Sequence, residues 1–211
     1  LDISNQKILV AADSKATTYN ARKEPVESTF CKIVKVTDSS FLAVTGLGNS
    51  DRFNPFTMFR SGYKKFNDNL KTLRFIEGPV RQVLESEMKR ARQESIEVYK
   101  KAFGNEVKLT LMLFGFDRGS IFSYNTEFRG ETPLKITHID CPGSACIPNR
   151  QIALFAGSAE VLDNYHQQYP PSPSTSFVTW VQNAMATAIK AHPELVGPPI
   201  DMILVEPKGA T

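Results

Sequence analysis

The strongest constraint on the fold is a short apolar run near the beginning of the sequence that ends on a carboxylate. Ile8, Leu9 and Val10 are followed by two alanines and then by Asp13. An unbroken apolar run of this length, bounded by polar residues, is typical of a buried strand. We therefore predict a strand that ends by placing Asp13 at the rim of a core.

A second predicted strand, over 30–37, carries a lysine. Lys32 precedes the alternating residues Ile33, Val34 and Lys35. Because successive side chains of a strand point to opposite faces, Lys32 is expected on one face and apolar residues on the other. Asp13 and Lys32 on neighbouring strands can pair, and a partly buried lysine is a candidate base. A purely structural ion pair is the alternative.

Three short segments, taken in order, resemble one enzyme family. They are Ala-Ala-Asp-Ser-Lys-Ala-Thr at 11–17, Lys-Ile at 32–33 and Val-Thr-Gly-Leu-Gly at 44–48. Their order and spacing are similar to those of the catalytic β subunits of the proteasome and related N-terminal-nucleophile (Ntn) hydrolases. The interval from Lys32 to Gly46 matches the family, whereas extra residues between Asp13 and Lys32 are assigned to a loop from Asn20 to Ser28.

The order of predicted elements agrees with that resemblance. Strands are followed by two helical regions, more strands, two further helices and a last strand, an order typical of a layered α+β domain. The helices are predicted at 51–66, 79–102, 159–168 and 175–191, with a charged loop at 17–29 and a hairpin turn at 117–119. The resemblance implies the Ntn fold, a four-layer αββα sandwich of two antiparallel sheets flanked by helices, with residues 1–211 as a single domain.

The resemblance also implies catalytic roles. Ntn hydrolases attack an amide with the side chain of their own first residue, Thr, Ser or Cys, whose α-amine acts as the base. Asp13 would orient and balance Lys32, and Lys32 would activate the nucleophile or relay its proton. Gly46 would give a backbone N–H to the oxyanion hole, and Ser158 would support the amine. Taken singly, Gly46 is more often a turn residue and Ser158 a helix cap. The Gly-Leu-Gly turn has no complete nucleotide-binding motif.

The substrate implied by the resemblance is a peptide or another amide. Thr17 and Gly48 match positions that bind an extended peptide by its backbone. Four further residues would line a mainly apolar specificity pocket: Ala16, Phe30, Val34 and Val44.

Two departures from the family bear on activity. The family's interval places the nucleophile about four residues upstream of Leu1, so autoprocessing of a precursor is expected. Near the end of the chain, Val196 stands where the family has a supporting serine. The first hypothesis is therefore a threonine-peptidase-like amide hydrolase, and the second is a non-catalytic, proteasome-like subunit of a ring or filament.

Composition restricts the partners. A formal charge of +3 with scattered basic residues gives no reason to expect nucleic acid. No apolar run approaches the roughly 20 residues of a membrane span. Neither a metal nor another cofactor is expected, and the resemblance implies a homo-oligomer. The compartment is open: cytoplasmic is favoured, and secretion requires a signal peptide before Leu1.

The three cysteines do not have the spacing of a zinc site. Cys31 is predicted as a small core residue within a strand. Cys141 and Cys146 lie in an exposed loop, where reduced thiols are favoured over a disulfide. His138 alternates with Leu134 and Ile136, which indicates a packed or edge-strand histidine.

Overall fold

The structure is a computed structural model that describes residues 7–19, 25–46, 54–142, 159–172, 175–193, 196–206 and 209–210. Its strands are β1 (Ile8–Asp13), β2 (Lys15–Tyr19), β3 (Pro25–Thr29), β4 (Ile33–Lys35), β5 (Ser40–Gly46), β6 (Val107–Asp117), β7 (Ser120–Arg129), β8 (Lys135–Cys141), β9 (Ile200–Glu206) and β10 (Gly209–Ala210). Its helices are α1 (Pro55–Phe66), α2 (Asn69–Glu94), α3 (Ile96–Phe103), α4 (Ala159–Gln168) and α5 (Phe177–Ala191).

The chain forms two compact units. The central unit comprises Val34–Cys146, and the flanking unit comprises Leu1–Ile33 with Ile147–Thr211. Both contain antiparallel sheets and helices, so the predicted α+β composition is confirmed at that level. The four-layer sandwich and the single domain stay predictions.

A five-stranded sheet with the order β4-β5-β6-β7-β8 dominates the central unit. Its β5–β6, β6–β7 and β7–β8 pairs are antiparallel. The long strand β6 reads Val-Lys-Leu-Thr-Leu-Met-Leu-Phe-Gly-Phe-Asp, and most of its residues are buried. Because β6 lies between β5 and β7, an almost continuous apolar strand fits this central position. The α2 helix packs against β7.

The predicted hairpin turn after β6 is confirmed. Asp117 pairs with Ser120 across the turn. Arg118 has φ of 50° and Gly119 has φ of 80°. Two positive φ values are what a two-residue turn needs to match the right-handed twist of its strands.

The helices α1 and α2 begin at side-chain caps. The Asn54 side chain accepts a hydrogen bond from the Thr57 amide at 3.0 Å, and the Asp68 side chain accepts one from the Lys71 amide at 2.8 Å. These contacts satisfy amides that have no partner within a first helical turn. The prediction that a helix starts at Pro79 is wrong, because α2 begins at Asn69 and carries Pro79 in its interior.

The flanking unit joins early and late parts of the sequence. Its first sheet has the order β1-β9-β10, and β1 pairs antiparallel with β9 from Ile8 opposite Val205 to Asp13 opposite Ile200. The helix α5 packs against β1 and pairs with α4. A cluster of buried side chains holds the helical part together: Leu162, Ala184, Ala188 and Val196.

Several local predictions are corrected. The segment 17–29 is not one loop, because β2 and β3 pair from Lys15 opposite Thr29 to Tyr19 opposite Pro25. Its polar composition concealed two strands of a two-stranded sheet, which need no apolar alternation. Cys31 is exposed and free, not a core residue, because β4 begins only at Ile33.

Cys141 is disulfide-bonded, contrary to the prediction of reduced thiols. His138 lies on the edge strand β8, as predicted. Cys146 and the strand predicted at 151–156 lie outside the described residues. None of the helices in the described part of the chain combines the length and apolarity that a membrane span requires.

Candidate functional site

An ion pair lies at the end of β1. The Lys32 Nζ atom donates to both carboxylate oxygens of Asp13, at 2.7 Å to Oδ1 and 2.8 Å to Oδ2. The side chains retain only 18% and 14% of their exposure, respectively. The predicted pairing of these residues is therefore present. Partial burial and two contacts to one ammonium group fix the geometry more firmly than an exposed pair would.

The residue after Asp13 anchors this end of β1 to the last part of the chain. Ser14 is 4% exposed, and its hydroxyl donates to Asp201 Oδ2 at 2.8 Å. Its amide donates to the Pro199 carbonyl at 2.9 Å. Sequence reasoning missed this contact. The signal available was Asp201, a carboxylate beside the apolar run 202–205 of β9.

The segment that carries Lys32 is attached to the same place. The Phe30 amide donates to the Ser14 carbonyl at 2.7 Å. Lys32 itself precedes β4, so the strand predicted over 30–37 is shorter than expected. The lysine is thus placed by a backbone contact two residues earlier and by its ion pair with Asp13.

A second lysine connects this region to the segment that departs from the Ntn pattern. The Lys15 Nζ atom donates to the Pro193 carbonyl at 2.9 Å. A Cβ atom added at Gly197 would lie 3.0 Å from Lys15 Cδ, so the backbone of Gly197 runs close along the lysine stem. The neighbouring Val196 is 7% exposed and belongs to the apolar cluster between α4 and α5.

Gly46, the candidate oxyanion residue, ends β5 in the central unit. It is exposed and has φ of 95°, a backbone conformation that favours glycine. A Cβ atom at this position would lie 2.3 Å from the Lys108 carbonyl oxygen. The conformation and the close carbonyl both require glycine here.

The predicted substrate residues fall into three groups. Ala16 and Thr17 lie on β2, opposite Ser28 and Glu27. Phe30 and Val34 are half-buried, and Val44 is 3% exposed within β5. Gly48 and Ser158 lie outside the described residues. Their predicted roles in binding and catalysis stay predictions.

The arrangement at β1 can stabilise a negatively charged group. A lysine held by a carboxylate presents a fixed positive charge that favours an adjacent anion. Within the ranges that the structure describes, no group of three or more His, Cys, Asp or Glu side chains is arranged to hold a metal ion.

No model of a protein family matches this sequence. No curated protein matches it either. Among solved structures, the chain is similar to the crystal structure of eukaryotic HslV from Trypanosoma brucei, with a TM-score of 0.49 and 12% sequence identity. The match covers 95% of this chain and 94% of that chain. At this identity and this TM-score the likeness carries no inference about chemistry.

Proposed function

We propose that the protein is an amide-bond hydrolase of the N-terminal-nucleophile type, similar to threonine peptidases. The observation that carries this proposal is the partly buried Asp13–Lys32 pair at the end of β1. Both residues belong to the sequence segments that resemble the family, and the segments are joined by the contact from the Phe30 amide to the Ser14 carbonyl. The nucleophile in this proposal is a Thr, Ser or Cys that precedes Leu1.

In the proposed mechanism, each described residue has one task. Asp13 holds Lys32 in place and balances its charge. The Lys32 ammonium favours the deprotonated form of the nucleophile, while the nucleophile's α-amine accepts the proton. The Gly46 amide stabilises the oxyanion that forms on the substrate carbonyl. The substrate is a peptide or another amide, and the reaction needs no cofactor.

The test begins with the N-terminus of the purified mature protein, determined by intact mass and N-terminal sequencing. A protein that begins with Thr, Ser or Cys before Leu1 is then assayed against a panel of fluorogenic peptide amides. In Lys32→Ala the rate should fall by about 100-fold or more, as expected for the loss of a group that assists proton transfer.

The control is Lys7→Ala. Lys7 forms a 2.7 Å ion pair with Glu206, but the two side chains retain 47% and 38% of their exposure. This variant loses a lysine-carboxylate pair from the flanking unit without altering the proposed site, so its activity should equal that of the wild type. Full activity of Lys32→Ala on amide substrates would overturn the mechanism.

One observation favours a second function, that of a non-catalytic structural subunit of a ring or filament. Val196 is buried against Leu162, Ala184 and Ala188, where the Ntn pattern has a serine that supports the nucleophile. An apolar side chain in a packed cluster cannot make that hydrogen bond. A mature protein that begins with another residue type and hydrolyses no amide would support this function.

A further inference from the structure

We propose that Lys108 is a positioning residue that fixes the backbone of Gly46, and this inference rests on the proposed role of Gly46 in the oxyanion hole. Lys108 lies on β6, the strand beside β5. Its side chain retains only 2% of its exposure. A lysine buried to this extent is rare unless its ammonium group is fully paired.

The Lys108 ammonium is held by the chain that leads into β6. The Nζ atom donates to the carbonyl oxygens of Phe103 and Asn105, both at 2.5 Å. The Glu131 Oε1 atom lies 3.7 Å away. Because Phe103 is the last residue of α3, the positive charge also lies where the dipole of the helix favours a cation.

Lys108 lies at an irregularity in the sheet. Val107 pairs with Arg129, and the next paired residue, Leu109, pairs with Phe128, so the register between β6 and β7 shifts across Lys108. Such bulges redirect the strand locally and occur often beside active sites. Here the irregularity turns the side chain of Lys108 toward the end of α3.

The backbone carbonyl of Lys108 limits the room for a side chain at residue 46. Gly46 pairs with Leu109. A Cβ atom added at residue 46 would lie 2.3 Å from the carbonyl oxygen of Lys108 and would clash with it. A displacement of the Lys108 backbone would therefore change the conformation of Gly46, whose φ is 95°. The two carbonyl contacts of the ammonium group prevent that displacement. Lys108 thus acts on the proposed oxyanion donor through the backbone, without contact with substrate.

The test compares Lys108→Met with wild type by NMR on protein labelled only at glycine nitrogen. The sequence contains 12 glycines, so the amide spectrum is simple, and the Gly46 signal is assigned by its loss in Gly46→Ala. Lys108→Met should shift the Gly46 signal. Lys108→Arg, which retains the charge, should restore part of the wild-type behaviour.

Ser95→Ala is the matched control. The Ser95 hydroxyl caps α3 by accepting from the Glu97 amide at 3.2 Å, so its loss weakens the same helix without touching Lys108. The Gly46 signal should remain unchanged in this variant. If Lys108→Met does not fold, Glu131→Gln replaces it, since loss of the 3.7 Å contact should shift the same signal less. An unchanged Gly46 signal in the folded variant, or an equal shift in Ser95→Ala, overturns the inference.

The kinetic readout separates this inference from the proposed function. If the wild type hydrolyses amides, Lys108→Met should lower kcat with little change in KM, because an oxyanion contact is made in the transition state. If the wild type hydrolyses none, the proposed function fails, while the Gly46 signal still decides whether Lys108 fixes this backbone.

Discussion

Gly46 combines two constraints that only glycine satisfies. Its φ of 95° strains any other residue, and the Lys108 carbonyl occupies the position of a side chain. We expect Gly46→Ala to lower the free energy of unfolding by about 3 kcal/mol or more, because the backbone itself must move. Chemical denaturation, monitored by circular dichroism, measures this change.

Gly119→Ala separates the two constraints. Gly119 has φ of 80°, yet no atom lies within 4 Å of its added Cβ. Its substitution should cost only about 1–2 kcal/mol, the penalty for the backbone conformation. Equal losses in the two variants would mean that the Lys108 carbonyl does not restrict residue 46.

We expect Glu131 to make the stability of the central unit depend on pH. The hydrogen bond donated by the Tyr99 hydroxyl, together with the Lys108 and Arg92 cations, holds the pKa of the Glu131 carboxyl below its ordinary value. Because the pKa is lower in the folded state, the associated stability is present above the ordinary range of glutamate. That stability is lost as pH falls through the folded-state pKa.

Thermal unfolding of Glu131→Gln and wild type between pH 7 and pH 3 tests this linkage. The difference in Tm should be largest near neutral pH and should shrink as pH falls below about 4.3, the ordinary pKa of glutamate. Glu106→Gln, at an exposed position just before β6, serves as the control for the loss of an acidic side chain in this unit. A difference that stays constant over this range would contradict the predicted linkage.

At the scale of elements, α2 contains a proline in its interior that is expected to destabilise the helix. Pro79 is exposed in the interior of the helix, where it lacks an amide and its ring crowds the carbonyl of Phe75. Pro79→Ala should therefore raise the free energy of unfolding by about 1–2 kcal/mol, after allowance for the greater freedom of the unfolded chain.

The preceding residue offers a control for Pro79→Ala. Gly78 is also within α2, and a Cβ at this position meets no atom within 4 Å. Gly78→Ala should add about 0.5–1 kcal/mol through helix propensity alone. Chemical denaturation of both variants decides the matter, and a loss of stability in Pro79→Ala would show that α2 needs the proline.

The sequence predicted a strand or helix correctly where a change in the spacing of apolar residues coincided with a turn residue or a charged residue. The apolar run 8–10 indicated β1, and the Gly119 turn indicated the β6–β7 hairpin. Pro79 led to the wrong start for α2, because a proline is tolerated inside a helix when other residues of that helix are well packed. Thr72, Leu73 and Ile76, one or two turns earlier, are all buried.

The site was predictable only in part. The pairing of Asp13 with Lys32, which lie 19 positions apart, was predicted from the two sequence segments that carry them. The Ser14 contact with Asp201 depends on the register between β1 and β9, which no local pattern specifies. The burial of Lys108 could not be predicted from the sequence either, because it depends on the irregular register of β6 and on the position of the end of α3.

At the scale of the whole molecule, we expect a homo-oligomer, as the sequence resemblance implies. Sedimentation or light scattering on the mature protein should give a multiple of the mass of one chain, to which residues 1–211 contribute 23.5 kDa. The Lys32→Ala variant should give the same mass, because the proposed function assigns Lys32 to the site and not to a contact between copies. A single species with the mass of one chain across the micromolar range would count against assembly.

The pairing of β1 with β9 has a consequence for biosynthesis. The central unit is continuous in sequence, so its strands and helices can fold as soon as they leave the ribosome. Ile8 and Val205, by contrast, can meet only after residue 205 has been translated. Closure over such a separation is slow because its entropic cost precedes the stabilising contacts. Until then β1 lacks its pairing with β9, and the contact of Ser14 with Asp201 that anchors the end of β1 is absent from the nascent chain.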